Sequence, residues 1–260
     1  MSLTDTDLAD LRQAKLLLEN PGLAARITNL IGTPLEKGLA MLPKGANELI
    51  AKASHKALET ALSVSLATMD KQNKQATNWL HKTFAGLSGA AGGAFGLPAL
   101  AVELPVSTTI ILRSIADIAR SEGEDIENPA TQLACLEVFA LGGSSQSDNA
   151  VESGYFAVRA ALAKTISEAT QYMAATSLAQ QTAPPLVRMV SQIAARFGIP
   201  VTQKAIAQSL PVVGAAGGAL INTLFIDHFQ NMSRGHFVVR RLERKYGADV
   251  IKQAYLHLHT

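Results

Sequence analysis

The sequence predicts an all-α fold, a single-domain multi-helix bundle, and three observations lead to it. Apolar residues recur at three- and four-residue steps: between Asn47 and Met69 they are Leu49, Ile50, Ala53, Ala57, Leu58, Ala61, Leu62, Leu66 and Met69. That spacing lays one apolar stripe along a helix. Glycine and proline stand where helices start and stop. No run alternates apolar and polar residues between hairpin turns, and no strand–helix–strand rhythm appears.

Taken in order, Asn20-Pro21-Gly22, Gly32-Thr33-Pro34 and Pro43-Lys44-Gly45 cut the first part into short helices. The long helix Asn47–Met69 follows. Pro105 reads as a first-turn residue of a helix that Gly123 stops. Asn128-Pro129 supplies a cap and a first-turn proline for the next helix, which Gly142-Gly143 ends. The polar run Gly142–Gly154 is a loop tip. A long helix then reaches about Gln181, and Pro184-Pro185 and Gly198-Ile199-Pro200 divide what comes next. The last two helices lie on either side of Gly247. Two parts pack as one domain: N-terminal helices over 1–82 and a second helical region over 83–260.

Of 260 residues, 48% are hydrophobic and only 17% charged, against about 25% charged in an ordinary soluble domain. Such a chain buries an unusual share of itself or meets a membrane. A net charge of +2 and 5% aromatics argue against a nucleic-acid surface. The single cysteine, Cys135, excludes an internal disulfide and a cysteine-rich metal site; it reads as a small buried hydrophobe. The first twenty residues carry acids where a signal peptide needs a basic start, so the expected location is cytoplasmic.

Two glycine-dense stretches, SGAAGGAFGLP (Ser88–Pro98) and PVVGAAGGALIN (Pro211–Asn222), share the letters GAAGGA. Neither holds a phosphate-loop or dinucleotide pattern. The nineteen residues Phe84–Val102 and the twenty-two residues Ala205–Ile226 carry no charge, which is the length of a bilayer span. Against a span stand their small residues, Pro98 and Pro211, and the missing aromatic and basic flanks. Core packing is the leading expectation, with Gly89, Gly92, Gly93, Gly96, Gly214, Gly217 and Gly218 where two helices touch. Re-entrant insertion or a full span is the alternative.

The segments Gly93–Gly143 and Leu210–Tyr255 resemble the EcsC protein family. The motifs Glu103-Leu104-Pro105, Arg113-Ser114-Ile115-Ala116 and Cys135–Gly143 arrive in order. The resemblance implies a bacterial protein in a cytoplasmic or membrane-proximal setting, because the family is named after a gene in an ABC-transporter operon. It implies no catalytic residues, since none are agreed for the family.

Several charges stand out in these apolar surroundings. Glu103, Asp117, Glu137, Asp227 and His236 are the candidate acid/base or metal-binding groups, although a Glu-x-x-His or His-Glu-x-x-His spacing is absent. The competing expectation is structural: Arg113 pairs with Asp117 or Glu103, and Arg240 joins another acid, because a buried charge needs a partner. Arg240, Arg241, Arg244 and Lys245 form either a solvated, self-paired face or a site for anionic lipid headgroups. His257 and His259 read as surface residues. No metal or cofactor is expected, and the candidate partners are membrane lipid or a membrane protein. The leading functional expectation is a non-enzymatic helical protein at the cytoplasmic face of a membrane, peripheral or re-entrant, or one that binds an apolar ligand or partner helix. A metal-dependent hydrolase and a soluble interaction module are the alternatives.

Overall fold

The computed structural model describes residues 3–19, 22–32, 34–35, 38, 42–69, 96–143, 154–176, 180–209 and 214–258. Among these residues there are nine helices and no strand: α1 (Asp5–Glu19), α2 (Leu23–Ile31), α3 (Ala46–Met69), α4 (Gly96–Ser121), α5 (Pro129–Leu141), α6 (Gly154–Ala175), α7 (Pro184–Ser209), α8 (Gly214–Tyr246) and α9 (Ala248–His257). The all-α expectation holds.

The fold is arranged around α5. Every residue from Thr131 to Leu141 is buried, because α3, α4, α6, α7 and α8 all pack against this one helix. A helix enclosed on all sides must satisfy both ends internally. Asn128 Oδ1 accepts from the Ala130 N–H at 2.9 Å at the start, and the Gly142 carbonyl meets His228 Nε2 at 2.9 Å at the end. Phe139 at the centre of α5 stacks edge-on to Phe197 of α7 and contacts Phe229 of α8, with ring centroids 5.1 and 5.2 Å apart. Each such ring removes roughly 150–250 Å² of surface from water. The apolar stripe of α3 is buried as spaced, through Ile50, Ala53, Ala57, Leu58, Ala61 and Leu62.

Local stop signals hold where the chain leaves a helix for a turn. Gly123 and Gly247 have φ of +78° and +94°, a backbone that side chains with a Cβ resist. Two breaks fail: Pro105 lies inside α4 and Pro200 inside α7. Nearby hydroxyls add bonds around both prolines: Thr109 Oγ1 donates to the Pro105 carbonyl at 2.9 Å, and Thr202 Oγ1 to the Gly198 carbonyl at 2.7 Å. Proline has no N–H to offer residue i−4, so Pro200 leaves the Arg196 carbonyl without its helical donor.

Gly143 packs against that same carbonyl: a Cβ at Gly143 would lie 2.3 Å from the Arg196 oxygen. In α8, a Cβ at Gly235 would lie 2.9 Å from the Ala14 oxygen and 2.6 Å from Leu18 Cγ of α1. The close approaches that need glycine are therefore here. Gly89, Gly92 and Gly93 lie outside the described residues, and so does most of the first glycine stretch. Gly96 and Gly214 open α4 and α8, and Gly217 lies half-buried in the first turn of α8. At Gly218 the expectation is corrected. A Cβ there meets nothing within 4 Å, because this turn of α8 has no described neighbour on that side.

The contrast can be tested within one protein. Gly143→Ala and Gly235→Ala should each destabilise by about 1–3 kcal/mol through overpacking. Gly218→Ala should stabilise by up to about 1 kcal/mol, the helix-propensity gain of alanine over glycine. Urea titrations of the three variants decide it, and a common effect at all three positions would contradict this packing.

Candidate functional site

The five candidate acid/base residues do not converge. Glu103 of α4 accepts from Lys204 Nζ of α7 at 2.6 Å, Asp117 is exposed and pairs with Arg120 at 2.7 Å, and Asp227 lies 3.6 Å from Arg26 of α2. Only Glu137 and His236 meet, with carboxylate oxygen and Nε2 3.9 Å apart. Among the described residues no group of three His, Cys, Asp or Glu is placed to hold a metal, so the proposed five-residue hydrolase site is not assembled. Of the expected ion pairs, Arg113 pairs with neither Asp117 nor Glu103 among the described residues, whereas Arg240 does join another acid, Glu124, at 2.8 Å.

Lys204, which spacing alone did not single out, is fully buried. Its ammonium sits 4.8 Å from the Phe225 ring centroid as well as on Glu103. Burial pulls its pKa down, and the Glu103 carboxylate opposes that. The pair ties α4 to α7 beneath α8. It resembles the buried charge pair foreseen for Glu103, with lysine in the place of arginine.

A second buried network links α5, α6 and α8. Arg159 of α6 forms a two-pronged pair with Glu243 of α8, at 2.7 and 3.0 Å. It also donates to the Tyr155 hydroxyl at 3.3 Å, and that hydroxyl lies 3.0 Å from His236 Nδ1. Tyr155 and His236 Nδ1 share one hydrogen bond whose donor is set by the histidine tautomer, and Nε2 is the ring nitrogen that faces Glu137. His236 Nε2 has no hydrogen-bond partner. Burial, helped by Arg159 and Arg240, holds the His236 pKa well below the ordinary histidine value. Burial also lifts Glu137 to about 7 against the pull of Arg159 and Arg240. Both groups are thus held towards their neutral forms. The sequence named Glu137 and His236 but missed Tyr155, Arg159 and Glu243. The available signal was Arg159 inside the apolar run Tyr155–Leu162.

The four basic residues near the C-terminal end of α8 are each engaged. Arg240 and Arg244 hold Glu124, Arg241 holds Glu122 and Asp10, and Lys245 holds Asp7. Their partners come from α1 and from the α4–α5 turn, so the face is paired with other elements and not within α8. No described cation of this set is left over for a headgroup while α1 is in place.

A groove of about 250 Å³ opens between α3, α4 and α5. Val64, Leu112, Ala116 and Ile126 give it an apolar lining, and Arg113, Asp117, Arg120 and Gln132 border it. Arg113 makes no ion pair or hydrogen bond among the described residues. Gln132 is buried; its amide nitrogen donates to the Ile126 carbonyl at 3.1 Å, but its Oε1 has no partner. An orphaned buried acceptor costs about 1–3 kcal/mol. Cys135 also lines the groove, and burial pushes its thiol up to about 12. It is therefore no thiolate nucleophile at neutral pH. Among the described residues no helix is long and apolar enough to cross a membrane.

These features define an all-α domain built on an enclosed helix, with buried charge networks and a lateral groove. The profile of the EcsC protein family matches residues 13–242, and the chain belongs to that family. The match reaches back into α1 and so takes in the N-terminal helices. No curated protein and no solved structure shows a significant match.

The Glu137–His236 pair sets a pH dependence. A carboxyl raised from 4.5 to about 7 binds its proton more tightly folded than unfolded, so its contribution is lost as pH rises from about 4.5 to about 7. A histidine lowered below 6.5 works in the other direction, and its contribution is lost as pH falls below about 6.5. Glu137→Gln removes the first dependence only. From pH 4 to pH 8 the variant should gain about 3 kcal/mol on the parent, read from paired denaturation curves. Parallel curves across that range would mean that Glu137 titrates normally.

Proposed function

We propose that the protein binds an anionic amphiphile in the groove between α3, α4 and α5, and that it works at the cytoplasmic face of a bacterial membrane. The observation that carries this is that Gln132, whose Oε1 has no partner, and Arg113, without an ion pair or hydrogen bond among the described residues, line the same largely apolar groove. A ligand with an alkyl body gains by leaving water, about 0.8 kcal/mol per buried methylene. A hydroxyl or amide on it satisfies Gln132, and a carboxylate or phosphate meets Arg113 with a charge-assisted bond. The membrane side of the proposal is motivated by the transporter setting that membership of the family suggests. A binding role is favoured over hydrolysis because the candidate acids point to separate partners.

A fluorescent long-chain fatty acid, dansylaminoundecanoic acid, tests the groove directly. Titration should give saturable binding at one site. Arg113→Gln should weaken it about tenfold, the effect of roughly 1.4 kcal/mol, and Ala116→Phe should block it without lowering the melting temperature much. Absence of binding, or binding indifferent to Ala116→Phe, would refute the groove as a ligand site.

A further inference from the structure

We infer that the N-terminal end of α1, Asp5 to Asp10, is an acidic cover over a cationic face of α8, and that an anionic bilayer surface displaces it to dock there. The cover is built almost entirely from charge. Asp7 accepts from Lys245 Nζ at 2.8 Å, from the Tyr246 hydroxyl at 2.7 Å and from its own Thr4 hydroxyl at 2.6 Å. Asp10 accepts from Arg241 Nη2 at 2.7 Å. Between residues 4 and 10 only Asp7 is buried, and the apolar contact of this end is that of the partly buried Leu3 and Leu8.

The other end of α1 is anchored differently. Leu11 and Ala14 lie in the core, Gly235 of α8 closes on Ala14, and Lys15 caps the last turn of α9 through the carbonyls of Tyr255 and Leu258 at 3.0 and 2.7 Å. A segment with few apolar contacts opens locally at low cost while its anchored neighbour stays in place. With the cover on, Arg240, Arg241, Arg244 and Lys245 face Asp7, Asp10, Glu122 and Glu124 and balance them. Once Asp7 and Asp10 leave, four cations face two acids, and the surplus sits on one end of one helix. A surface dense in phosphates complements that surplus and repels the freed Asp5, Asp7 and Asp10. This rests on the membrane part of the proposed function and not on the groove.

Flotation of the full chain with vesicles of phosphatidylcholine alone, or with phosphatidylglycerol added, tests it. The parent should float weakly with the anionic vesicles at low salt and detach as salt rises. The double variant Asp7→Asn, Asp10→Asn should bind the anionic vesicles about tenfold more tightly, and adding Arg241→Gln and Lys245→Gln should cancel the gain. A folded acid variant that floats no better than the parent overturns the inference, as does a gain that persists without Arg241 and Lys245. A gain seen with short duplex DNA but not with vesicles assigns the face to a soluble polyanion and overturns the bilayer. Should the acid variant fail to fold, amide hydrogen exchange at Leu8, Ala9 and Asp10 in the parent decides: anionic vesicles must accelerate it, and an unchanged rate refutes displacement. Ala116→Phe should leave flotation unaltered, which keeps a failed ligand titration and a failed flotation separate.

Discussion

A helix with no face to water constrains everything packed around it. Thr131 to Leu141 of α5 are buried, so each polar group they carry must find its partner inside the protein or go without, as Gln132 Oε1 does. Thr131 donates to Glu124, Gln132 to the Ile126 carbonyl, and the Gly142 carbonyl is met by His228. Glu137 has no such bond among the described residues and is held towards its protonated form instead. The surrounding polar chemistry follows from this enclosure. Arg240 and Arg244 reach over to hold Glu124 in the turn before α5, and burial alone would raise that carboxyl if they did not hold it down. Arg159 and Tyr155 bring α6 and α8 together beside Glu137.

The same enclosure explains where glycine is needed. Gly142 and Gly143 end α5 against α8 and α7, and a Cβ at Gly142 would meet Phe229 and His228 at 2.7 and 2.8 Å. The proline in α7 offers no N–H to the Arg196 carbonyl, and Gly143 rests against that carbonyl. A feature that breaks helices in isolation serves here as part of a contact between elements. That is why Pro105 and Pro200 misled the reading of the sequence: a local helix-breaking signal was outweighed by tertiary packing.

Much of the fold was legible because capping is local. Asn128-Pro129, Gly123 and Gly247 act on residues within one turn, so spacing alone located those ends. The site was far less legible. Lys204 and Glu103 are 101 positions apart, Arg159 and Glu243 84, and Arg241 and Asp10 231. Periodicity says nothing about pairs so distant, and so Arg113 was matched to Asp117 four residues away while Asp117 chose Arg120. The sequence did identify which polar residues sit in apolar surroundings. It could not say which of them meet.

The central claim is that α5 is the enclosed element on which the rest assembles. Native-state amide hydrogen exchange measures this residue by residue. The amides of Ala134 to Leu141 should exchange only through global unfolding, with a free energy equal to that from urea denaturation and falling in step with it as urea is added. Amides of α1 and α9 should exchange through smaller openings. If α5 amides exchanged through local openings that urea hardly affects, while a peripheral helix kept the highest protection, the enclosed helix would not be the foundation of this fold.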